Sequence, residues 1–338
     1  MCLNFVHDFE RRYNLKGEGQ MKRIIVTGAL GQIGTELVVH LRKIYGKDNV
    51  LATGRRLKDP NNIAVTSGEF QVLNVLNPKE ISEICANYKA DTIIHLVGLL
   101  SASAEADPAL GWDTNLIGFY NVLEAARELN LAVFFPSSIA AFGPSTPADN
   151  TPQDTIQRPT IMYGVTKVAG ELLGDYYALR FGVDVRGLRF PGVISCEAEP
   201  GGGTTDYAVH IYWDALRKGA YTSYIAKGTF MDMMYMPDAL DAVVKLMEAD
   251  PAKLKHRNCF NITAMSVDPE RLGDSIRKYI PGFSLDYDVD PVRQRIAESW
   301  PNSLDDSCAR AEWGYAPKFD LDVMTKDMLE KIKTKLGK

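Results

Sequence analysis

The strongest constraint in this chain is a glycine turn set between a β-branched run and an amphipathic one. The stretch "KRIIVTGALGQIGTELVVHLRKIYG" begins with a strand signal and turns through Gly28, Gly31 and Gly34 in the order GxxGxxG. It continues with Leu37, Val38 and Leu41 at helical spacing. In that position glycine gives a tight turn, close approach to a pyrophosphate and close packing of helix on strand, with the anion at the helix N-terminus. The turn therefore reads as a dinucleotide site carrying Leu30, Gln32 and Ile33 along with its glycines. A ligand-free packing turn is the alternative.

The same alternation recurs through residue 190. Strand signals at 49–53, 70–75, 91–98, 132–138 and 183–190 alternate with helical periodicity near 78–88, 112–129 and 160–181. Continuous apolar strands joined by helices imply a parallel sheet covered on both faces. After Phe190 the rhythm breaks into a loop, a helix near 206–218, strand signals over "YTSYIAKGTF", a helix from 236, a strand at 258–263 and a last helix near 320–336. The remainder reads as irregular. The expected fold is α/β: a doubly wound parallel Rossmann sheet over 21–190, completed by 231–262. A smaller C-terminal α/β substrate lobe is expected from 191–230 and 263–338, with 1–20 as an N-terminal extension.

Composition narrows the function. At 338 residues and 46% apolar content the chain can bury one large core with a smaller lobe. A formal charge of −5 without a basic block argues against nucleic acid as a partner. No apolar run reaches the roughly 20 residues that span a bilayer, so no membrane association is expected. The five cysteines are odd in number and unpaired by motif, which fits a reducing compartment. With the five histidines equally scattered, no metal site is expected, unless ligands distant in sequence converge.

The end of the second strand reads "ATGRR", with no carboxylate where an acid that binds the adenosine ribose is expected. Arg55 and Arg56 stand there instead, either one facing a 2′-phosphate, stacking near the adenine or pointing into solvent, so the residues alone leave NAD and NADP open. The chemistry is clearer. Tyr163 and Lys167 in "MYGVTK" lie at i and i+4 on one helix face. Ser137 and Ser138 end the fifth strand, where parallel strands line the ligand crevice. A phenol with a pKa near ~10 becomes a base only beside a stabilising cation. Tyr163, Lys167 and Ser138 together suit removal of an alcohol proton while its carbon gives up hydride.

GxxGxxG, a serine after the fifth strand, "YGVTK" and "RFPGVIS" together resemble the extended short-chain dehydrogenase/reductase family across nearly all of residues 21–338. The resemblance implies NAD as cofactor, Tyr163 as acid/base, Lys167 also on the nicotinamide ribose and Ser138 on the substrate oxygen. Leu96 and Pro191 complete the expected cofactor contacts. It also implies a homodimer through the helices near 112–129 and 160–181.

Three further segments, "LVGLLSASAE", "PGGGTTDYAVHIYWDAL" and "ESWPNSLDDSCARAEWGY", resemble the family's branch of short-chain L-threonine 3-dehydrogenases. That branch oxidises the C3 hydroxyl of L-threonine to 2-amino-3-ketobutyrate. Thr204 and Thr205, with the amides around Gly203, have the donors a small carboxylate needs. Ser101 or Ser103 is a candidate contact for the amino acid, and Trp300 for closing over it. Asp206 and Glu105 are candidates for the ammonium, with Asp206 equally suited to cap the following helix. Two other readings stand beside this one: a nucleotide-sugar epimerase or dehydratase holding a diphosphate with Arg217, Arg257 or Arg271, and an idle NAD(P)-binding scaffold. The N-terminal arm with Arg11 and Arg12 leads to the expectation of a mitochondrial location, with a cytoplasmic one as alternative.

Overall fold

The computed structural model describes residues 21–57, 59–197 and 203–337. Its centre is a seven-stranded, wholly parallel sheet. The strands are β1 (Ile24–Thr27), β2 (Val50–Gly54), β3 (Phe70–Val72), β4 (Thr92–His95), β5 (Ala132–Ser138), β6 (Val185–Phe190) and, at the far edge, β10 (Phe260–Asn261). They are ordered β10-β6-β5-β4-β1-β2-β3. Helices α1 (Gln32–Tyr45), α2 (Pro78–Tyr88), α3 (Gly118–Leu129) and α4 (Met162–Phe181) make the crossovers. The strand order reverses between β1 and β4, and ligands of such sheets bind outside the carboxyl ends of the strands at that reversal.

The strands read as unbroken apolar runs because both faces are covered. Ile24, Val26 and Phe134 pack with α1 in one buried cluster, and Ile25, Ile93, Val133 and Phe135 pack with α2 and α3 in another. Glycines on one side of α4 allow it to lie close on β5: a Cβ on Gly170 would sit 2.4 Å from the Phe135 ring.

The second layer of structure begins with β7 (Gly192–Ile194), α5 (Tyr207–Lys218), β8 (Ala220–Ser223), β9 (Met231–Tyr235) and α6 (Met236–Glu248). β9 lies between β7 and β11 (Met265–Val267) in a three-stranded sheet. Its side chains alternate between two cores, Met234 joining that of the large sheet and Met231, Met233 and Tyr235 joining that of α5. This period of two is what a strand buried on both faces requires. Of the expected strand signal over "YTSYIAKGTF", only the start is strand.

The stretch after 263, expected to be irregular, is ordered. It holds β11, α7 (Pro269–Arg277), β12 (Ser284–Tyr287), which pairs with β8, α8 (Pro291–Glu298) and α9 (Ser307–Trp313), before α10 (Leu321–Lys335). These helices are too short for a clear period, but two carry start signals. Asp268 and Asp290 cap α7 and α8, each followed by proline at the first helical position. Among the described residues no helix is long and apolar enough to cross a membrane.

Candidate active site

The glycine turn is shaped by what cannot fit there. Gly28 has a φ of 72°, and a Cβ on it would lie 2.8 Å from the Leu96 carbonyl carbon. A Cβ on Gly34 would lie 2.3 Å from the Gly28 oxygen, so this glycine serves contact between α1 and β1. Gly31 is different: the nearest neighbour of a Cβ there would be the Gly28 oxygen at 3.4 Å, an ordinary contact, and the residue lines the cavities beside the turn. The N-terminus of α1 has no side-chain cap and no acidic residue in its first turn. It therefore presents backbone amides and the positive end of the helix dipole to a phosphate.

Of the cavities that border this turn, two open over the carboxyl ends of the strands. One, of about 310 Å³, is bounded by Leu30, Gly54, Arg55, Asn74, Val75 and Leu99 and shares Gly28, Gly31 and Leu96 with the other. Arg55 thus stands at the end of β2 as expected, and no carboxylate lines that cavity among the described residues. The second cavity, of about 340 Å³, holds Gln32, Ile33, Pro191, Ser101, Ser137, Ser138, Tyr163, Lys167, Thr204, Thr205 and Trp300. Residues separated by up to 272 positions in sequence thus share one space. The two cavities on either side of the pyrophosphate turn match the two halves of a dinucleotide, so the residues present fit NAD.

Tyr163 and Ser138 are brought together by Gly164. A Cβ there would lie 2.2 Å from the Ala140 oxygen, so only glycine lets the first turn of α4 press against the loop after β5. The Ser138 hydroxyl stands close enough to the Tyr163 phenol to hold it down, and it accepts from the Ala140 amide. Lys167 donates to the Pro136 carbonyl at 2.6 Å, and its Nζ is 5.2 Å from the centroid of the Tyr163 ring.

Burial pushes the Tyr163 phenol up to about 12, partly offset by Ser138. Burial also lowers the Lys167 ammonium to about 8, against the pull of Cys259 and Glu171. The sequence argument placed the lysine beside the tyrosine to hold it as phenolate. In the folded chain the burial of both groups raises the phenol and lowers the ammonium.

Several expected contacts acquire different partners. Ser137 lines the cavity, but its hydroxyl donates to Glu171, and Glu171 in turn pairs with Arg189. Of Ser101 and Ser103, only Ser101 lines the cavity; Ser103 is exposed. Glu105 accepts from the Met162 amide at the start of α4 and is absent from the cavity wall. Asp206 does line it, while its carboxylate accepts from the Gly203 amide at 2.6 Å.

Sequence reading missed Asn115, in a π-helical turn at Asp113–Ile117 just before α3. Its side chain accepts from the Leu99 amide and donates to the Leu99 carbonyl and the Thr166 hydroxyl. It thereby ties the loop after β4, which carries Ser101, to α4. A π turn has no pattern in apolar spacing that would have announced it.

The model of the NAD dependent epimerase/dehydratase family matches residues 24–262. The chain belongs to that family. It is accordingly an NAD-dependent oxidoreductase.

A curated protein of Staphylococcus aureus (strain USA300), named an uncharacterized epimerase/dehydratase, is 60% identical over 315 residues, covering 93% of this chain and 98% of that one. Among solved structures, the L-threonine dehydrogenase of Clostridium difficile superposes with a TM-score of 0.92 at 59% identity, covering 94% of this chain and 99% of that one. A monomeric L-threonine 3-dehydrogenase from a metagenome has a TM-score of 0.88 at 41% identity, covering 93% and 100%.

These relatives correct one expectation. The Staphylococcus and Clostridium proteins come from bacteria, which have no mitochondria, and this overturns the mitochondrial location. The arginine-bearing arm behind that expectation lies outside the described residues.

Proposed function

We propose that the protein is an L-threonine 3-dehydrogenase, oxidising the C3 hydroxyl of L-threonine to 2-amino-3-ketobutyrate. The observation that carries this reading is the chemistry of the cavity wall. Around Tyr163 and Ser138 stand the residues Ser101, Thr204 and Thr205 and one carboxylate, Asp206, with no arginine among the described residues. A nucleotide sugar needs cations for its diphosphate. The arginines considered for that task are engaged elsewhere: Arg257 with Asp184 and the Pro251 carbonyl, Arg271 with the Ser266 carbonyl and Phe230, and Arg217 over Trp213. A volume of about 340 Å³ shared with the cofactor's reactive end suits a small amino acid. The similarity to solved L-threonine dehydrogenases supports the same reading.

In this mechanism Ser138 orients the substrate oxygen and Tyr163 accepts its proton. Lys167 supplies positive charge close to the phenol and stands within reach of a nicotinamide ribose. NAD, when bound, supplies the hydride acceptor. Thr204 and Thr205 take the substrate carboxylate, Asp206 faces the ammonium, and Trp300 closes the cavity from the C-terminal lobe. The division into a dinucleotide core and a substrate lobe, with β9 shared between their cores, belongs to this proposal.

The test is reduction of NAD followed by nicotinamide absorbance, with L-threonine as substrate and L-serine and UDP-glucose as controls. Threonine-dependent reduction supports the reading. A nucleotide sugar copurifying with the protein, or turnover of UDP-glucose alone, moves the assignment to an epimerase.

We also propose a homodimer through α3 and α4, whose outer faces expose Tyr120, Val165, Leu172 and Tyr176. Sedimentation velocity decides between this and the monomeric state of the metagenome relative.

A further inference from the structure

Away from the catalytic cavity, three segments distant in sequence bring a histidine, a thiol and two carboxylates together. His256 lies in the turn between α6 and β10, Cys308 and Glu312 lie one helical turn apart on α9, and Asp154 lies in the loop after β5. His256, Cys308 and Glu312 each offer a ligand atom within 4.8 Å of the others.

The bonds within the cluster assign its roles. Glu312 is fully employed: Oε2 accepts from the Lys255 and His256 amides, and Oε1 is paired with His256 Nδ1. Its side chain is only 9% exposed, so it is a fixed support. A carboxylate on one ring nitrogen fixes the imidazole's tautomer and orientation and strengthens the other nitrogen as a ligand. That other nitrogen, Nε2, lies 4.0 Å from Cys308 Sγ and 3.4 Å from Asp154 Oδ2. In a tetrahedral zinc site, bond lengths of about 2.0–2.3 Å put sulfur about 3.6 Å from nitrogen and nitrogen about 3.3 Å from oxygen. Both spacings about His256 Nε2 therefore stand within a few tenths of an ångström of those values, leaving the exposed Asp154 side chain to turn toward Cys308.

We propose that His256 Nε2, Cys308 Sγ and Asp154 Oδ2 bind one divalent transition-metal ion of the zinc type, with Glu312 orienting the histidine. The ion takes the place of the thiol proton, and water fills the fourth position on the solvent side, where Asp154 is 85% exposed. A thiolate, an imidazole and a carboxylate favour zinc or cobalt over magnesium or calcium. The ion ties α9 to the Asp154 loop. That loop is already joined to the buried sheet edge through Gln153, which bonds the Cys259 carbonyl and the Asn261 amide. The role is that of a structural clasp, separate from the reacting groups.

Cobalt(II) is the probe, titrated into the full chain after dialysis against a chelator, in a Cys2→Ser background so that this thiol does not compete. The other described cysteines, Cys85, Cys196 and Cys259, are buried. One equivalent is expected to bind with a thiolate-to-cobalt charge-transfer band in the near ultraviolet, to be displaced by zinc, and to raise the melting temperature. Cys308→Ser, which changes a single half-buried atom, abolishes the band, as does His256→Ala. Glu312→Gln keeps the stoichiometry with affinity weakened ~10–100-fold. No band with cobalt in large excess, or a band that survives Cys308→Ser, overturns the proposal. Far-ultraviolet circular dichroism of each variant separates loss of the site from loss of the fold.

Discussion

Glu171 on α4 and Arg189 on β6 form a buried ion pair 2.8 Å long, with both side chains less than a tenth exposed. A second guanidinium bond, Nε to Oε1 at 3.0 Å, makes the pair bidentate, and Arg189 also donates to the Gln153 carbonyl and the Asn261 side chain. Because Ser137 donates to the same carboxylate, the pair supports the strand end that presents Ser138. Glu171→Ala leaves a buried guanidinium without its counter-charge. It should cost ~3–5 kcal/mol of stability, read from denaturant midpoints. A loss under ~1 kcal/mol would show that water or the neighbouring carbonyls suffice.

Two alanine substitutions in one turn should separate folding from cofactor binding. Gly34→Ala forces a Cβ within 2.3 Å of the Gly28 carbonyl and should unfold or severely destabilise the domain. Gly31→Ala meets nothing closer than 3.4 Å, so the protein should fold with near-native melting while NAD affinity drops. Thermal melting and a direct NAD titration read the two effects. Equal NAD affinity in Gly31→Ala and the parent would remove the turn from the cofactor site.

Tyr163→Phe removes the proposed acid/base group and leaves the ring. Turnover should fall ~10²–10⁴-fold, the usual contribution of a positioned general base, while NAD still binds. Near-normal turnover would exclude the phenol as the base.

The pH dependence follows from the same residue. Burial places the phenol at about 12. Alcohol oxidation requires the deprotonated form, whose population grows with pH, so kcat/KM for oxidation should climb through the alkaline range. Ketone reduction uses the protonated form and should fall over the same range. A flat profile in the oxidative direction would contradict proton transfer to Tyr163.

Glu36 on α1 accepts from the Ser195 hydroxyl at 2.5 Å. Burial raises its carboxyl from 4.5 to about 7, against the hydrogen bond from Ser195. A carboxyl raised on folding holds its proton more tightly in the folded state. Its contribution is therefore present below pH 4.5 and lost as pH rises to about 7. Glu36→Gln should flatten that decline, by at most about 3 kcal/mol. Chemical denaturation of both proteins at several pH values across the window measures it, and parallel curves would rule the effect out.

The core's architecture was legible because each crossover repeats one pattern. Apolar strands such as "IIVT" and amphipathic helices such as 78–88 are each long enough for their period to speak. The short helices α7 to α9 fell below that length, and only Asp268–Pro269 and Asp290–Pro291 marked where two of them begin. The glycines were readable one by one in position, but not in purpose. Gly28 and Gly34 clash with backbone that comes from the end of β4 and from the turn itself, whereas Gly31 meets only the Gly28 oxygen at 3.4 Å, and sequence spacing is the same for all three.

By itself the sequence determined the alternating α/β order and the dinucleotide turn and made Tyr163, Lys167 and Ser138 the candidates for the chemistry, since these rest on local periodicity and on side-chain chemistry. Tertiary structure alone decided the rest. Burial, which no spacing encodes, raises the Tyr163 phenol and lowers the Lys167 ammonium. Packing sent Ser137 and Glu105 to structural partners and kept Ser101 on the cavity wall. The same long-range packing assembled His256, Cys308, Glu312 and Asp154 from three segments that nothing in their sequence spacing connects.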